Sequence, residues 1–146
     1  MTTPAIVSVG GRRTRVRIEG DSQSPPVLLL HGIGRSLEDW APQYPRLAGS
    51  HRVIALDVAG FGFSDRLTER STLKALAQSV IDTLDALGER RPLHVVGNSL
   101  GVLEGGRSGA FPHSSGVAAD SGIDVSVGFP NAEAQVKMTK QKVGGR

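Results

Sequence analysis

Cysteine is absent from this sequence of 146 residues, so the chain can form neither a disulfide framework nor a thiolate metal site. No charged-then-apolar leader opens the sequence, and no apolar run approaches the length needed to span a membrane. These absences predict a soluble, cytoplasmic protein without disulfides or a bound metal. A chain of this length has room for one domain with one core.

Aromatic residues are also few, which bears on the partners of the chain. A net charge of +3 is compatible with an anionic partner. Nucleic-acid-binding surfaces, however, combine basic residues with aromatic ones on which bases stack. Here the basic residues cluster without aromatics, early at Arg12, Arg13, Arg15 and Arg17 and late at Lys137, Lys140, Lys142 and Arg146. We therefore expect no nucleic-acid partner, and we expect no membrane partner either.

Two β-prone runs separated by Gly10-Gly11 open the chain and predict a β-hairpin. In the second run arginines alternate with other residues, which indicates one solvated and one buried face. The solvated face would carry Arg13, Arg15 and Arg17, and the buried face Thr14, Val16 and Ile18.

Three apolar runs follow, of the kind found in strands that are covered on both faces of a parallel sheet. They are Val27–Leu30, Arg52–Asp57 and Leu93–Val96. Between the last two, apolar residues recur every three or four positions from Leu73 to Leu87, which predicts an amphipathic helix. Ser71 or Thr72 can cap its start, and Gly88 can end it. The alternation of strands and helices predicts an α/β fold with a parallel sheet and crossover helices.

The stretch Gly97-Asn98-Ser99-Leu100-Gly101 follows the third apolar run directly and has the form G-x-S-x-G. A serine can be exposed on a sharp strand-to-helix turn, where bulky neighbours two positions away on either side would collide with the backbone. Glycine at 97 and 101 avoids those collisions. The pattern by itself is short, but it is compatible with an exposed Ser99 at the end of a buried strand.

Two earlier segments stand in a matching order, His31-Gly32-Ile33-Gly34 after the first apolar run and the glycine loop 58–65 after the second. Together with the G-x-S-x-G stretch they resemble the N-terminal half of the α/β-hydrolase family, over about residues 5–101. The resemblance implies an incomplete α/β-hydrolase sheet, in which an antiparallel opening hairpin precedes parallel strands with crossover helices. It covers the first of two regions, residues 1–101.

The resemblance also implies an active site. Ser99 would be the nucleophile, and the backbone N–H groups of Ile33 and Leu100 would form the oxyanion hole. The elbow and its supporting loop would be shaped by His31, Gly32, Gly97, Asn98 and Gly101, with His31 in a supporting role rather than as acid or base. No cofactor is expected.

A serine at the elbow implies attack on the acyl carbonyl of a small-molecule substrate. Esters, thioesters, lactones and the carbon–carbon bonds of diketones fit this chemistry. The epoxide and haloalkane hydrolases of this fold are disfavoured, because they carry aspartate at the same turn. A nucleotide-binding interpretation of the glycine loop is weaker still, since neither G-x-G-x-x-G nor a Walker lysine pattern is complete.

The partners that an activated serine needs are missing from the expected places. In the family an acid and then a histidine follow the serine, both well downstream. Here the histidine after the elbow is His113, and the nearby carboxylates, Asp120 and Asp124, come after it. The order is reversed and the spacing is too short, so we do not expect His113 to act as the base.

Residues 102–146 depart from the family and form the second region, a low-complexity tail that is disordered, irregular or frameshifted. Several glycines and Pro112 oppose a helix directly after the elbow. In this region Ile123–Val127 alternates enough for one short strand. We hypothesise that a reading-frame shift near residues 101–105 replaced the catalytic C-terminal half. Without a further strand beside it, Leu93–Val96 would become an apolar sheet edge that invites aggregation.

Two functions therefore stay open. The chain is a truncated α/β-hydrolase whose parent cleaves an acyl bond through an acyl-serine. Alternatively, it is a catalytically inactive fragment or a small-molecule-binding pseudoenzyme.

Overall fold

The computed structural model describes residues 3–97 and the backbone of residues 123–127 and 137–140. Within these ranges the strands are β1 Ala5–Val9, β2 Arg12–Glu19, β3 Pro26–Leu30, β4 Arg52–Leu56, β5 Leu93–Gly97, β6 Ile123–Val127 and β7 Lys137–Lys140. They form one mixed sheet in the order β1-β2-β4-β3-β5-β6-β7. A 3₁₀ turn, Leu37–Trp40, and two helices, α1 Tyr44–Leu47 and α2 Leu73–Ala86, lie in the same part of the chain.

The opening hairpin is confirmed. Gly10 and Gly11 have φ values of 56° and 78°, the left-handed conformation that a two-residue hairpin turn of type I′ requires at both positions. The turn sets β1 antiparallel to β2, with Val9 opposite Arg12. Strand β2 then pairs antiparallel with β4, which joins the hairpin to the rest of the sheet.

The parallel part of the sheet is also confirmed. Strand β3 pairs in parallel with β4 on one side and with β5 on the other. All five residues of β3 are buried, as its uninterrupted apolar run predicts for a strand covered on both faces. Strand β3 is therefore the centre of the core, and the strands on either side of it share its direction.

Helix α2 begins and ends where the sequence predicts. Thr72 Oγ1 accepts a hydrogen bond from the Ala75 N–H at 3.1 Å, which satisfies one of the free amides of the first turn. Gly88, just after the helix, has a φ of 71°. The residues facing the core, Leu76, Val80 and Leu84, are buried at the predicted spacing.

The predicted solvated face of β2 is wrong for two of its three arginines. The side chains of Arg15 and Arg17 are only 14% and 13% exposed. Arg15 contacts Asp57 and Glu38, and the Arg17 guanidinium lies 4.0 Å from the ring centroid of Tyr44. The chain after β3 covers this face, and alternation along β2 could not reveal a covering segment that is distant in sequence.

The expectation that β5 would be a bare apolar edge is wrong for residues 93–95. The predicted strand β6 forms and pairs antiparallel with β5, with Leu93 opposite Val127 and Val95 opposite Val125. Strand β7, which the sequence did not predict, pairs in turn with β6. No helix in the described residues is long and apolar enough to cross a membrane.

Candidate active site

The carboxyl ends of the three parallel strands lie level with one another. Leu30, the last residue of β3, pairs with Leu56, the last residue of β4, and with Gly97, the last residue of β5. The segments that leave these strands therefore start from one edge of the sheet. In open α/β sheets this edge is where ligands bind.

Gly97 is buried at the end of β5, so the elbow motif begins where the sequence places it. Asn98, Ser99, Leu100 and Gly101 lie outside the described residues. Their roles as nucleophile, oxyanion donor and elbow residues stay predictions.

A tight turn follows β3. The Arg35 N–H donates to the carbonyl oxygen of Gly32 at 3.2 Å, and Gly34, the third residue of this turn, has a φ of 70°. The side chain of Ile33 is 65% exposed. Its backbone N–H has no acceptor among the described residues. Within the described residues, this edge of the sheet thus has a donor that no protein group satisfies.

His31 joins the ends of β3 and β4. It is fully buried, and its Nε2 accepts a hydrogen bond from the Val58 N–H at 2.9 Å. Its Nδ1 lies 2.8 Å from the Gly32 carbonyl oxygen and must therefore carry the proton in this contact. Both ring nitrogens are engaged, so His31 holds the two loops together and has no free nitrogen for acid–base chemistry.

Asp57, directly after β4, is a buried carboxylate that no sequence pattern singled out. Its Oδ1 accepts from the Leu37 N–H at 2.8 Å, and its Oδ2 accepts from the Phe63 N–H at 2.9 Å. Arg15 Nη1 lies 3.3 Å from the same Oδ2. The carboxylate thus connects the segment after β3 with the loop after β4. The sequence feature that could have pointed to Asp57 is a single acidic residue directly after a buried apolar strand.

The glycine loop 58–65 closes around Asp57. Gly62 has a φ of 52°, and a Cβ there would lie 2.2 Å from Asp57 Oδ2, so only glycine fits. The Ser64 hydroxyl donates to the Asp57 carbonyl at 2.6 Å and accepts from the Arg15 N–H at 2.9 Å. Six amides of the loop donate to groups within the protein: Val58, Gly60, Phe61, Phe63, Ser64 and Asp65. They cannot cradle a phosphate at the same time, which argues against a nucleotide site here.

Arg15 provides positive charge at this edge of the sheet. It contacts both Asp57 and Glu38, and its guanidinium carbon lies 4.8 Å from the ring centroid of Phe63. The hydrogen bond from Arg15 lowers the pKa of Glu38 from 4.5 to about 2. Glu38 therefore stays ionised, and its contact with Arg15 joins the 3₁₀ turn Leu37–Trp40 to strand β2.

The other described histidines lie at the opposite edge of the sheet. His51 directly precedes β4, and His94 is the second residue of β5. At about 3.3 Å per residue, His94 is about 10 Å from the end of its strand. His113 lies outside the described residues, as do Asp120 and the side chain of Asp124. Among the described residues, no group of three or more metal-ligating side chains is present.

Comparison with known proteins decides the family. The sequence profile of the alpha/beta hydrolase fold matches residues 25–103, more than half of the chain. The chain belongs to the alpha/beta hydrolase fold family. The matched range includes β3, β4 and β5 and extends just past the G-x-S-x-G stretch, so the family assignment covers the edge described above.

Curated relatives within this family differ in activity. The acetyltransferase component of the acetoin cleaving system of Pseudomonas putida is 38% identical over 67% of this chain and 26% of its own length. The 3-oxoadipate enol-lactonase 1 of Acinetobacter baylyi is 34% identical over 67% of this chain and 36% of its own length. The epoxide hydrolase B of Mycobacterium tuberculosis is 38% identical over 62% of this chain and 27% of its own length.

A solved structure gives the same family. The enol-lactonase of Burkholderia xenovorans superposes with a TM-score of 0.64 at 30% identity, over 69% of this chain and 39% of its own. The chain thus spans about a quarter to two fifths of the length of these hydrolase-fold relatives. An uncharacterized protein of Mycobacterium tuberculosis is 36% identical over 121 residues, 83% of this chain and 34% of its own length.

Proposed function

We propose that this chain carries the nucleophile and oxyanion-hole part of a serine hydrolase site. The supporting observation is the level edge at which Leu56, Leu30 and Gly97 end their strands. The Ile33 N–H, which has no acceptor among the described residues, lies in the turn that follows β3 at this edge. Ser99 is two residues after Gly97, and two Cα–Cα steps of 3.8 Å keep its Cα within about 7.6 Å of that strand end.

The proposed reaction is acyl transfer to Ser99. Its Oγ attacks the carbonyl carbon, the carbonyl electron pair moves onto oxygen, and the N–H groups of Ile33 and Leu100 donate to the resulting oxyanion. Collapse of this intermediate expels the leaving group, and water then hydrolyses the acyl-serine. Loss of one such donor typically raises the barrier by about 3 kcal/mol. The serine proton must pass to a base, and an imidazole is the usual one.

Whether such a base is present distinguishes an active hydrolase from an inactive protein. His31 has no free nitrogen, and His51 and His94 lie at the opposite edge of the sheet. This observation favours the second candidate, a catalytically inactive fragment or small-molecule-binding pseudoenzyme. In the active case, the base lies outside the described residues.

The bond that is cleaved follows from the nucleophile and from the relatives. A serine forms an ester with an acyl group, and two relatives are enol-lactonases, which favours a lactone or related ester. The relative named epoxide hydrolase is as similar in sequence. Since the epoxide hydrolases of this fold carry aspartate where this chain has Ser99, an epoxide is the less favoured substrate.

Incubation with an activated aryl ester tests the proposal. Mass spectrometry of the digested chain should find an acyl adduct on Ser99, which is lost in Ser99→Ala and retained in Ser71→Ala, a substitution of an exposed serine elsewhere. Opening of an aryl epoxide without an acyl adduct would contradict acyl chemistry. No adduct with either compound would favour the pseudoenzyme.

A further inference from the structure

The oxyanion donor proposed at Ile33 belongs to a segment whose position depends mainly on contacts with other parts of the chain. The segment 31–37 leaves β3, turns at Gly32 to Arg35, and reaches the 3₁₀ turn. Ile33 points its side chain largely into solvent, so packing of that side chain does little to fix its backbone. The position of the Ile33 N–H must therefore be set by contacts at the two ends of the segment.

Both ends of the segment are fastened to the end of β4. At its start, His31 Nε2 accepts from the Val58 N–H at 2.9 Å. At its finish, the Leu37 N–H donates to Asp57 Oδ1 at 2.8 Å. Asp57 and Val58 are consecutive residues, so two adjacent positions after β4 hold both ends of the segment that carries Ile33.

The second oxygen of Asp57 holds the loop on the other side. It accepts the Phe63 N–H at 2.9 Å, and Arg15 lies 3.3 Å away. Both oxygens must be acceptors for this arrangement. An asparagine would place an NH₂ group against one of the two amides, because it has only one acceptor oxygen. A carboxylate is thus the side chain that can join both segments.

We infer that Asp57 is a positioning residue for the oxyanion hole, acting through the Leu37 amide to hold the Ile33 N–H where the negative oxygen develops. The inference rests on the proposed function for the role of Ile33. Asp57 itself touches neither substrate nor reacting atoms. It should therefore affect the rate of the chemical step and not the affinity for the reagent.

Asp57→Asn in the full chain tests this, with Asp65→Asn as the matched control. Asp65 also accepts a backbone amide and an arginine, from Arg13, but it has no contact with segment 31–37 among the described residues. Labelling of Ser99 by a fluorophosphonate is measured as a maximal rate constant and a dissociation constant. The maximal rate constant should fall about 100-fold in Asp57→Asn, with the dissociation constant unchanged and Asp65→Asn like the wild type. Equal rates in the two variants would overturn the inference.

Amide hydrogen exchange gives a second readout that does not need an active Ser99. In Asp57→Asn the amides of Leu37 and of Arg35, which closes the turn that carries Ile33, should exchange faster, while those of β4 and α2 keep their protection. If wild-type Ser99 is not labelled, the proposed function fails, and this exchange pattern alone decides whether Asp57 positions the segment. Unchanged exchange at Arg35 and Leu37 would overturn the inference.

A second variant covers the case in which Asp57→Asn does not fold. In Gly62→Ala the new Cβ would lie 2.2 Å from Asp57 Oδ2, so it must displace the carboxylate without removing its charge. A fall in the labelling rate constant and faster exchange at Leu37 would support the inference. Wild-type values for both would overturn it.

Discussion

Two buried carboxylates lie at opposite edges of the same sheet and have different partners. Asp57, at the carboxyl end of β4, is 0% exposed, and Glu89, shortly before β5, is 1% exposed. Asp57 accepts two backbone amides from different loops and has one arginine at 3.3 Å. Glu89 accepts from Arg91 at 2.9 and 3.0 Å and has Arg52 at 3.2 Å.

The difference indicates what each edge does. Arg91 continues from Glu89 to the carbonyl oxygens of Ser22, Gln23 and Ser24, so this ion-pair cluster closes two loops against each other. At the other edge the carboxylate holds amides of the segments that surround the proposed oxyanion hole. One edge joins loops of the fold, whereas the other holds the segment that carries the proposed oxyanion donor.

The largest expected loss of stability follows from replacing Glu89, which pairs with Arg52 and Arg91. Glu89→Ala leaves Arg52 without its buried partner and should lower the free energy of unfolding by about 3 to 5 kcal/mol in urea denaturation. Asp85→Ala is the control, because Asp85 is 47% exposed and its contact with Arg90 is 3.7 Å long. The control should lose less than about 1 kcal/mol. Equal losses in the two variants would show that the buried ion pairs of Glu89 stabilise the fold no more than an exposed pair does.

The next largest effect is a difference in stability between alanine substitutions at two glycines of the opposite edge. Gly34 and Gly62 both have positive φ, but a Cβ at Gly34 meets nothing within 4 Å whereas one at Gly62 meets Asp57. Gly34→Ala should cost about 1 kcal/mol through backbone strain alone. Gly62→Ala should cost about 3 kcal/mol, because a steric clash is added. Thermal unfolding of both variants measures the difference, and similar melting temperatures would contradict the close packing around Asp57.

Acid should lower the free energy of unfolding, because ionised carboxylates stabilise both edges of the sheet. Burial by itself raises the pKa of Glu89, but hydrogen bonds from Arg91 and the charges of Arg91 and Arg52 outweigh it and lower that pKa. A carboxylate with a lowered pKa stabilises the fold above its unfolded pKa, and this contribution is lost as the pH falls through the folded value. For Glu38 the loss runs from about pH 4.5 to about 2.

Glu38→Gln tests the acid dependence at the proposed active edge. Because Glu38 is 54% exposed, screening by solvent should limit its contribution at pH 7 to about 1 kcal/mol. The variant should lose that amount at pH 7 and show a shallower decline in the free energy of unfolding between pH 5 and about 2. A decline as steep as in the wild type would contradict the Arg15–Glu38 contact.

The smallest expected effect on stability is at Phe63. Its side chain is 70% exposed beside the proposed site, so Phe63→Ala should change the free energy of unfolding by less than about 0.5 kcal/mol. If its ring contacts an apolar reagent, losing about 1 kcal/mol of that contact should raise the dissociation constant of a long-chain fluorophosphonate about fivefold. Ile6→Ala, at an exposed position on β1, is the control and should leave this constant unchanged.

Local patterns predicted much of the fold. Gly10-Gly11 fixed the hairpin, the apolar run of β3 indicated a strand covered on both faces, and the spacing from Leu73 to Leu87 set helix α2 with its cap at Thr72. Each of these features depends on residues that are close in sequence. The same is true of the elbow motif, whose beginning at Gly97 lies at the end of β5.

The contacts that organise the two edges could not be predicted, because they join distant parts of the chain. Asp57 meets Arg15 across 42 residues, and Arg91 meets Ser22 across 69. Alternation along β2 indicated solvated arginines, since it contains no information on the segment that covers Arg15 and Arg17. The pairing of β5 with β6 was missed because residues 98–122 separate the two strands in sequence.

The hypothesis of a reading-frame shift near residues 101–105 stays a prediction. The Mycobacterium tuberculosis relative that aligns over 121 residues must reach residue 121 or beyond in this chain of 146, which weighs against a shift at that point. Translating the coding DNA in its other two frames decides the matter. A frame that encodes a helix followed by strands with aspartate and histidine would support a shift, and its absence would exclude one.

The central proposal is that Ser99 and its oxyanion donors form a site whose base is not among residues 1–146. Labelling of the purified protein with a fluorophosphonate tests it directly, in the wild type, Ser99→Ala and His113→Ala. Donors without a base still give residual acceleration, so we predict slow labelling of Ser99 that is lost in Ser99→Ala and unchanged in His113→Ala. Labelling that disappears in His113→Ala, or that never occurs at Ser99, would contradict the claim.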